Sequence, residues 1–152
     1  MKLILTLSVG ILLSSCAQLP EPVNGWIDIP LSENTFSESE LEYRSDTIEI
    51  PLYAYDALEY KLGIAEGDTI TYEWEVEMAD PQLLEVEFHG HTERVGDDPG
   101  LLMFYKIHNE GEESGTLTAP FSGIHGWYLN NQSEEDIVVS LRVAGFYTLI
   151  EQ

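Results

Sequence analysis

From Ile70 to Glu77 the side chains alternate without a break: Ile70, Tyr72, Trp74 and Val76 are apolar, while Thr71, Glu73, Glu75 and Glu77 are polar or charged. Successive side chains of an extended chain point to opposite faces, so this segment is predicted to be an antiparallel strand with one face in a core and the other in water. The period recurs. Leu84, Val86 and Phe88 alternate with Glu85, Glu87 and His89, and Ile137, Val139, Leu141 and Val143 alternate with Val138, Ser140, Arg142 and Ala144. Residues 101–107 are apolar at both parities, which predicts a central strand buried on both sides. Gly63 and the run Ala65-Glu66-Gly67-Asp68 supply a turn, so residues 58–64 and 68–77 are expected to pair as a hairpin. Further strands are expected over 115–121 and 125–130. No segment beyond the N-terminus has a helical period. Seven or eight short strands separated by Gly, Pro, Asp and Asn turns predict an all-β fold, an antiparallel β-sandwich of jelly-roll or immunoglobulin-like size over residues 47–152.

The first sixteen residues follow a different rule. Lys2 precedes an apolar run over 3–13 and the small residues Ser14 and Ser15, the charge-apolar-small order of an export signal. That run is too short for a bilayer core of roughly 30 Å. The segment Leu13-Ser14-Ser15-Cys16 resembles the lipobox of bacterial lipoproteins. The resemblance implies a signal peptide over 1–15, cleavage after Ser15 and lipidation of Cys16, so that fatty acyl chains such as palmitate fix the chain to a membrane. Two or more acyl chains hold a protein stably where one does not. Ala17 follows in place of Asp, which by the same resemblance implies an outer-membrane lipoprotein facing the periplasm. In the competing reading, residues 3–13 form a buried strand and Cys16 is a core thiol; the order of charge and small residues argues against it. Cys16 is the only cysteine. Its lipidation leaves no thiol for a disulfide, a thiolate zinc site or a nucleophile.

Residues 16–46 carry Pro20, Pro22, Asn24 and Gly25 and then an acidic polar run over 32–40, the composition of a tether with little surface to bury. Thirty such residues have an end-to-end distance of roughly 30 Å. Within the tether, the alternation of Trp26, Ile27, Asp28 and Ile29 allows docking as an edge strand.

Charge narrows the partners. The chain has 28 Asp and Glu against 6 Lys and Arg, a formal net charge of −22. Such a field repels phosphates, which excludes nucleic acid and a basic-patch membrane contact. It permits cations or a basic protein partner. It also suits a saline habitat, where salt screens surface carboxylates within a few ångströms.

Two stretches carry a further resemblance. One is Leu58-Glu59-Tyr60-Lys61-Leu62 with Glu66-Gly67-Asp68, Tyr72-Glu73-Trp74 and Phe88-His89-Gly90-His91. The other is Gly123-Ile124-His125-Gly126-Trp127-Tyr128 with Asn130-Asn131, Val139-Ser140-Leu141-Arg142-Val143 and Gly145-Phe146-Tyr147. Together, over roughly residues 47–152, they resemble a family of uncharacterised bacterial membrane-anchored proteins whose outer part is a GOLD-like β-sandwich. Members have an uncleaved N-terminal helix where this chain has a lipobox, a departure that changes the anchor. The resemblance implies a membrane-held sandwich and no established enzyme activity.

Among candidate chemical groups, His89 and His91 lie two apart on an expected strand, so both imidazoles share a face with Cα atoms about 6.6 Å apart. That spacing suits one divalent metal ion, with Glu87 or Glu93 as an oxygen ligand. His108 and His125 would complete a site for zinc, copper or nickel if the fold brought them there. Otherwise the face is simply solvated, or a histidine makes a buried hydrogen bond. In His125-Gly126-Trp127-Tyr128 the flanking glycines allow close backbone approach, so Trp127 and Tyr128 either line a small pocket or pack the core. Gly96-Asp97-Asp98-Pro99-Gly100 offers two carboxylates to calcium but lacks the spaced ligands of a helix-loop-helix calcium site, and reads as an acidic turn. There is no Gly-x-Ser-x-Gly, His-Glu-x-x-His, phosphate-binding glycine loop or Ser-x-x-Lys. The expectation is a lipid-anchored, non-catalytic binding or accessory module, with a divalent-metal-binding protein as the alternative.

Overall fold

The computed structural model describes residues 21–33, 35–97 and 99–151. The expected signal peptide, Cys16 and Asp98 therefore lie outside the described residues. The chain divides into two units, residues 1–36 and 37–152. In the first, Val23 and Trp26 exchange backbone hydrogen bonds of 2.8 and 3.0 Å across Asn24 and Gly25, whose φ angles are 54° and 84°. Asn-Gly is the pair that tolerates two successive positive φ angles, so the turn is local chemistry. Residues 26–29 form no strand, and all four are exposed.

The second unit is an antiparallel β-sandwich, as the alternation predicts. Its strands are β1 (Arg44–Leu52), β2 (Ala57–Ile64), β3 (Thr69–Val76), β4 (Leu84–His91), β5 (Leu102–His108), β6 (Glu112–Thr118), β7 (Gly123–Asn131), β8 (Ile137–Gly145) and the two-residue β9 (Thr148–Leu149). One sheet has the order β1-β8-β3-β6 and the other β5-β4-β7-β2-β9. The pairs β1·β8, β2·β7, β3·β6 and β4·β5 are nested like the rungs of one long hairpin bent at the β4–β5 loop. This is the arrangement of a jelly roll. No helix among the described residues is long and apolar enough to cross a membrane.

Nesting corrects two expectations. β2 and β3 do not pair as a hairpin. The turn between them exists, with Asp68 N–H bonded to Ala65 O and Gly67 at φ 83°, but it passes the chain from the five-stranded sheet to the four-stranded one. Nor is β5 central. It closes one edge of its sheet, and Leu102, Phe104 and Ile107 are 61%, 48% and 55% exposed. Apolarity at both parities marks a doubly buried strand only when neighbours flank it on both sides.

The inward rows meet as the alternation demands. Ile70, Tyr72 and Trp74 of β3, Leu84, Val86 and Phe88 of β4, Trp127 and Leu129 of β7, and Val139, Leu141 and Val143 of β8 are all buried. At the centre Phe88 stacks on Trp127, centroids 4.6 Å apart and planes 4° from parallel, and Tyr72 meets both edge-on. Trp127 is thus core. Of the two readings of this stretch, core packing describes Trp127, which points between the sheets, while Tyr128 has the opposite parity and lies on the outer face.

Candidate metal centre

On the outer face of the five-stranded sheet, β4 carries His89 and His91, β7 runs beside it, and β2 lies beyond. His89 sits opposite Gly126 of β7, and Gly126 opposite Lys61 of β2. Because position 126 has no side chain, Glu59 of β2 reaches across β7. Its Oε1 lies 3.2 Å from His89 Nε2 and 3.5 Å from His91 Nε2, and the two imidazoles are near-parallel with centroids 6.0 Å apart. Lys61 Nζ holds the other carboxylate oxygen at 3.2 Å. These three residues are the ones among the described residues whose ligand atoms converge closely enough to hold a metal ion.

Protonation chemistry sharpens the geometry. His89 Nδ1 lies 3.3 Å from the Glu87 carbonyl oxygen and His91 Nδ1 3.2 Å from that of Thr92. A carbonyl only accepts, so each Nδ1 donates, and in the neutral rings each Nε2 is left with its lone pair directed at Glu59. Two lone pairs and a carboxylate oxygen facing one another form an arrangement that suits a cation between them, a proton or a metal ion. A backbone carbonyl on the far nitrogen is also the usual way a ligating histidine is oriented. Three protein ligands would leave a tetrahedral ion one open position.

The other two histidines are elsewhere. His125, on the inner face of the same sheet, is buried. Tyr105 O–H donates to its Nδ1 at 2.7 Å and its Nε2–H donates to Phe121 O at 3.0 Å, so both nitrogens are occupied and the ring is neutral. Burial pushes its pKa below the ordinary 6.5; the Phe121 carbonyl pulls it part of the way back, and the nearby His91 and His89 add smaller downward pushes. Burial likewise pushes the Tyr105 hydroxyl up to about 12. Gly90 makes the room: a Cβ there would strike the His125 ring and the Tyr105 hydroxyl. His108 ends β5 over Trp74, with ring centroids 5.9 Å apart, and its Nε2 is 2.8 Å from Glu113 Oε2. The pair is close but out of line for a hydrogen bond. Tyr72 O–H donates to the other oxygen of Glu113 at 2.8 Å. Neither His125 nor His108 joins the centre, because inward parity and the β5 edge carry them away from the outer face.

A pH prediction follows from His125. Below pH 6.5 the unfolded chain takes up a proton that the buried native imidazole refuses, so this group lowers stability as the pH falls from 6.5 through its depressed native pKa. His125→Gln removes that penalty while losing hydrogen bonds worth about 1 kcal/mol each. In denaturant titrations the wild-type advantage over this variant is expected to shrink between neutral pH and pH 5. An advantage independent of pH would contradict the assignment.

The oxygen ligand comes from a different strand than the spacing of the histidines suggests. Glu87 and Glu93 do not enter the cluster; Glu59 does. Alternation marks Glu59 as outward-facing, but its approach to the histidines depends on the order β4-β7-β2. Of the expected acidic turn, Asp97 is exposed on the loop that joins β4 to β5.

No family model matches the chain, and no curated protein does either. Among solved structures the chain is similar to one described as "Bacillus endospore appendages form a novel family of disulfide-linked pili", with a TM-score of 0.39 and 9% identity over 80% of this chain and 98% of that one. A likeness so distant says nothing of what the chain does.

Proposed function

We propose that this chain is an exported, lipid-anchored β-sandwich that works without catalysis at the bacterial envelope, and that what it binds is a divalent first-row metal ion held by Glu59, His89 and His91. The observation that carries the metal reading is the convergence of two carbonyl-anchored imidazoles on a single carboxylate oxygen. Imidazole with one carboxylate suits zinc, copper or nickel more than calcium or magnesium. The negative field of the chain draws cations toward it and opposes anionic ligands. The anchor reading rests on the lipobox-like Leu13-Ser14-Ser15-Cys16; the resemblance to membrane-anchored GOLD-like proteins, which use an uncleaved helix, supports membrane attachment but not its lipid form.

Calorimetry with Zn²⁺, Cu²⁺ and Ni²⁺ tests the centre. One site per chain is expected, weakened on the order of 100-fold by His89→Ala and by Glu59→Gln, since each removes one of three ligands. Each ligand must give up its proton to the metal, so binding should release protons and weaken in acid. Binding that is equally weak in all three proteins and matched by Mg²⁺ would mark it as the background of an acidic surface and end the proposal. For the anchor, mass spectrometry of membrane-extracted protein should find an acylated Cys16 as the first residue; a free thiol on a soluble full-length chain would remove it.

A further inference from the structure

We propose that Lys61 determines which ion the centre accepts. By holding one oxygen of Glu59 it confines the carboxylate to single-oxygen ligation, and so favours zinc or copper over manganese or calcium. The inference rests on the metal reading above and adds to it a specificity residue that is not itself a ligand.

Glu59 and Lys61 are two apart on β2 and share its outer face. Lys61 lies opposite Gly126 of β7, and Gly126 opposite His89, so the row that carries the lysine also carries the imidazole, with no side chain between them. The carboxylate is divided between these neighbours. Its Oε1 lies 3.2 and 3.5 Å from the two imidazole Nε2 atoms, and its Oε2 lies 3.2 Å from Lys61 Nζ. Basic side chains are scarce in this chain, 6 against 28 acids, yet one of them sits on the carboxylate that meets two histidines. A partly exposed ion pair of this kind adds little to stability. Its consequence is geometric.

An ammonium on Oε2 limits what the carboxylate can offer. Calcium and manganese gather many oxygen ligands, and a carboxylate that gives both of its oxygens helps to supply them. A tetrahedral zinc ion needs only one oxygen from Glu59 beside the two imidazoles. Where ligand type alone does not separate ions, geometry does. With Oε2 engaged by Lys61, two-oxygen ligation has to break the ion pair; with the ammonium gone, both oxygens can turn onto the ion. The charge of Lys61 also repels any dication, but it does so alike for ions of equal charge. The ratio of affinities therefore isolates the contact from the charge.

Calorimetry of the full chain with Zn²⁺ and with Mn²⁺ tests this. Lys61→Met keeps most of the side-chain length and removes the ammonium. It is expected to narrow the ratio of Zn²⁺ to Mn²⁺ affinity by about tenfold, the scale on which a partner of a ligating group acts, chiefly by tightening Mn²⁺. Lys61→Cys should narrow the ratio likewise, and alkylation with 2-bromoethylamine, which rebuilds an ammonium of nearly the same reach, should restore it. Cys16 is the one other thiol, so the wild-type chain carried through the same alkylation is the control. Lys106→Met removes an equal charge from a lysine held by Glu110 and Glu113, and should leave the ratio as it is in the wild type. If His89→Ala weakens Zn²⁺ binding while Lys61→Met leaves the ratio unchanged, the centre stands and the role of Lys61 falls. A ratio that narrows as much in Lys106→Met, or that alkylation does not restore, would also overturn it. Zn²⁺ binding indifferent to His89→Ala would end the metal reading and this inference with it.

Discussion

Gly126→Ala is expected to leave little folded protein. An alanine Cβ at this position falls on the carbonyl oxygen of Tyr60 in the adjacent strand, and backbone cannot swing aside as a side chain can. β2 would have to withdraw from β7, which it pairs over eight residues from Ala57 to Ile64. Ordinary overpacking costs about 1–3 kcal/mol. A clash with the backbone of a central strand should exceed that range, a large share of the roughly 5–15 kcal/mol that holds a domain together. Circular dichroism melts should show a transition lowered by more than about 10 °C, or no cooperative transition at all. A variant within a few degrees of wild type would mean that the β2–β7 register is wrong, and with it the path by which Glu59 reaches His89.

The second large effect belongs to Trp127. Its ring lies against Phe88 and Tyr72 at the centre of the sandwich, 1% exposed. Truncation to alanine should cost about 3–5 kcal/mol, because the aromatic rings around it cannot collapse into the space. Tyr128→Ala removes the next side chain in sequence from the outer face, where it is only partly buried, and should cost less, about 1–2 kcal/mol. Comparing the two by urea denaturation separates a core residue from a surface one. Equal effects would contradict the parity on which the description of β7 depends.

That parity is legible in the sequence alone. In β7, His125, Trp127 and Leu129 fall on one side and Gly126, Tyr128 and Asn130 on the other, so the tryptophan two residues on already implies a buried His125. The inward rows of β3, β4 and β8 are equally plain, each an unbroken period of two. What local pattern does not contain is partnership. β2 and β3 are joined by a good turn yet lie in different sheets, and nothing in residues 58–77 distinguishes that turn from a hairpin. The ambiguity of β5 has the same origin: two apolar faces describe a central strand or an unguarded edge, and only sheet order decides. At the candidate centre the histidine pair is visible from its spacing, whereas Glu59, thirty residues earlier in sequence than His89, comes within reach only because a glycine of the intervening strand lies between.

Nested pairing carries a consequence for how such a chain is made. β1, the first strand to leave the ribosome, finds its partner β8 at the far end of the polypeptide, and β2 must wait for β7. Only the innermost pair, β4 with β5, can close early. Neither sheet can be completed until the last strands have emerged, so folding goes at the slow pace of distant pairings, milliseconds to seconds.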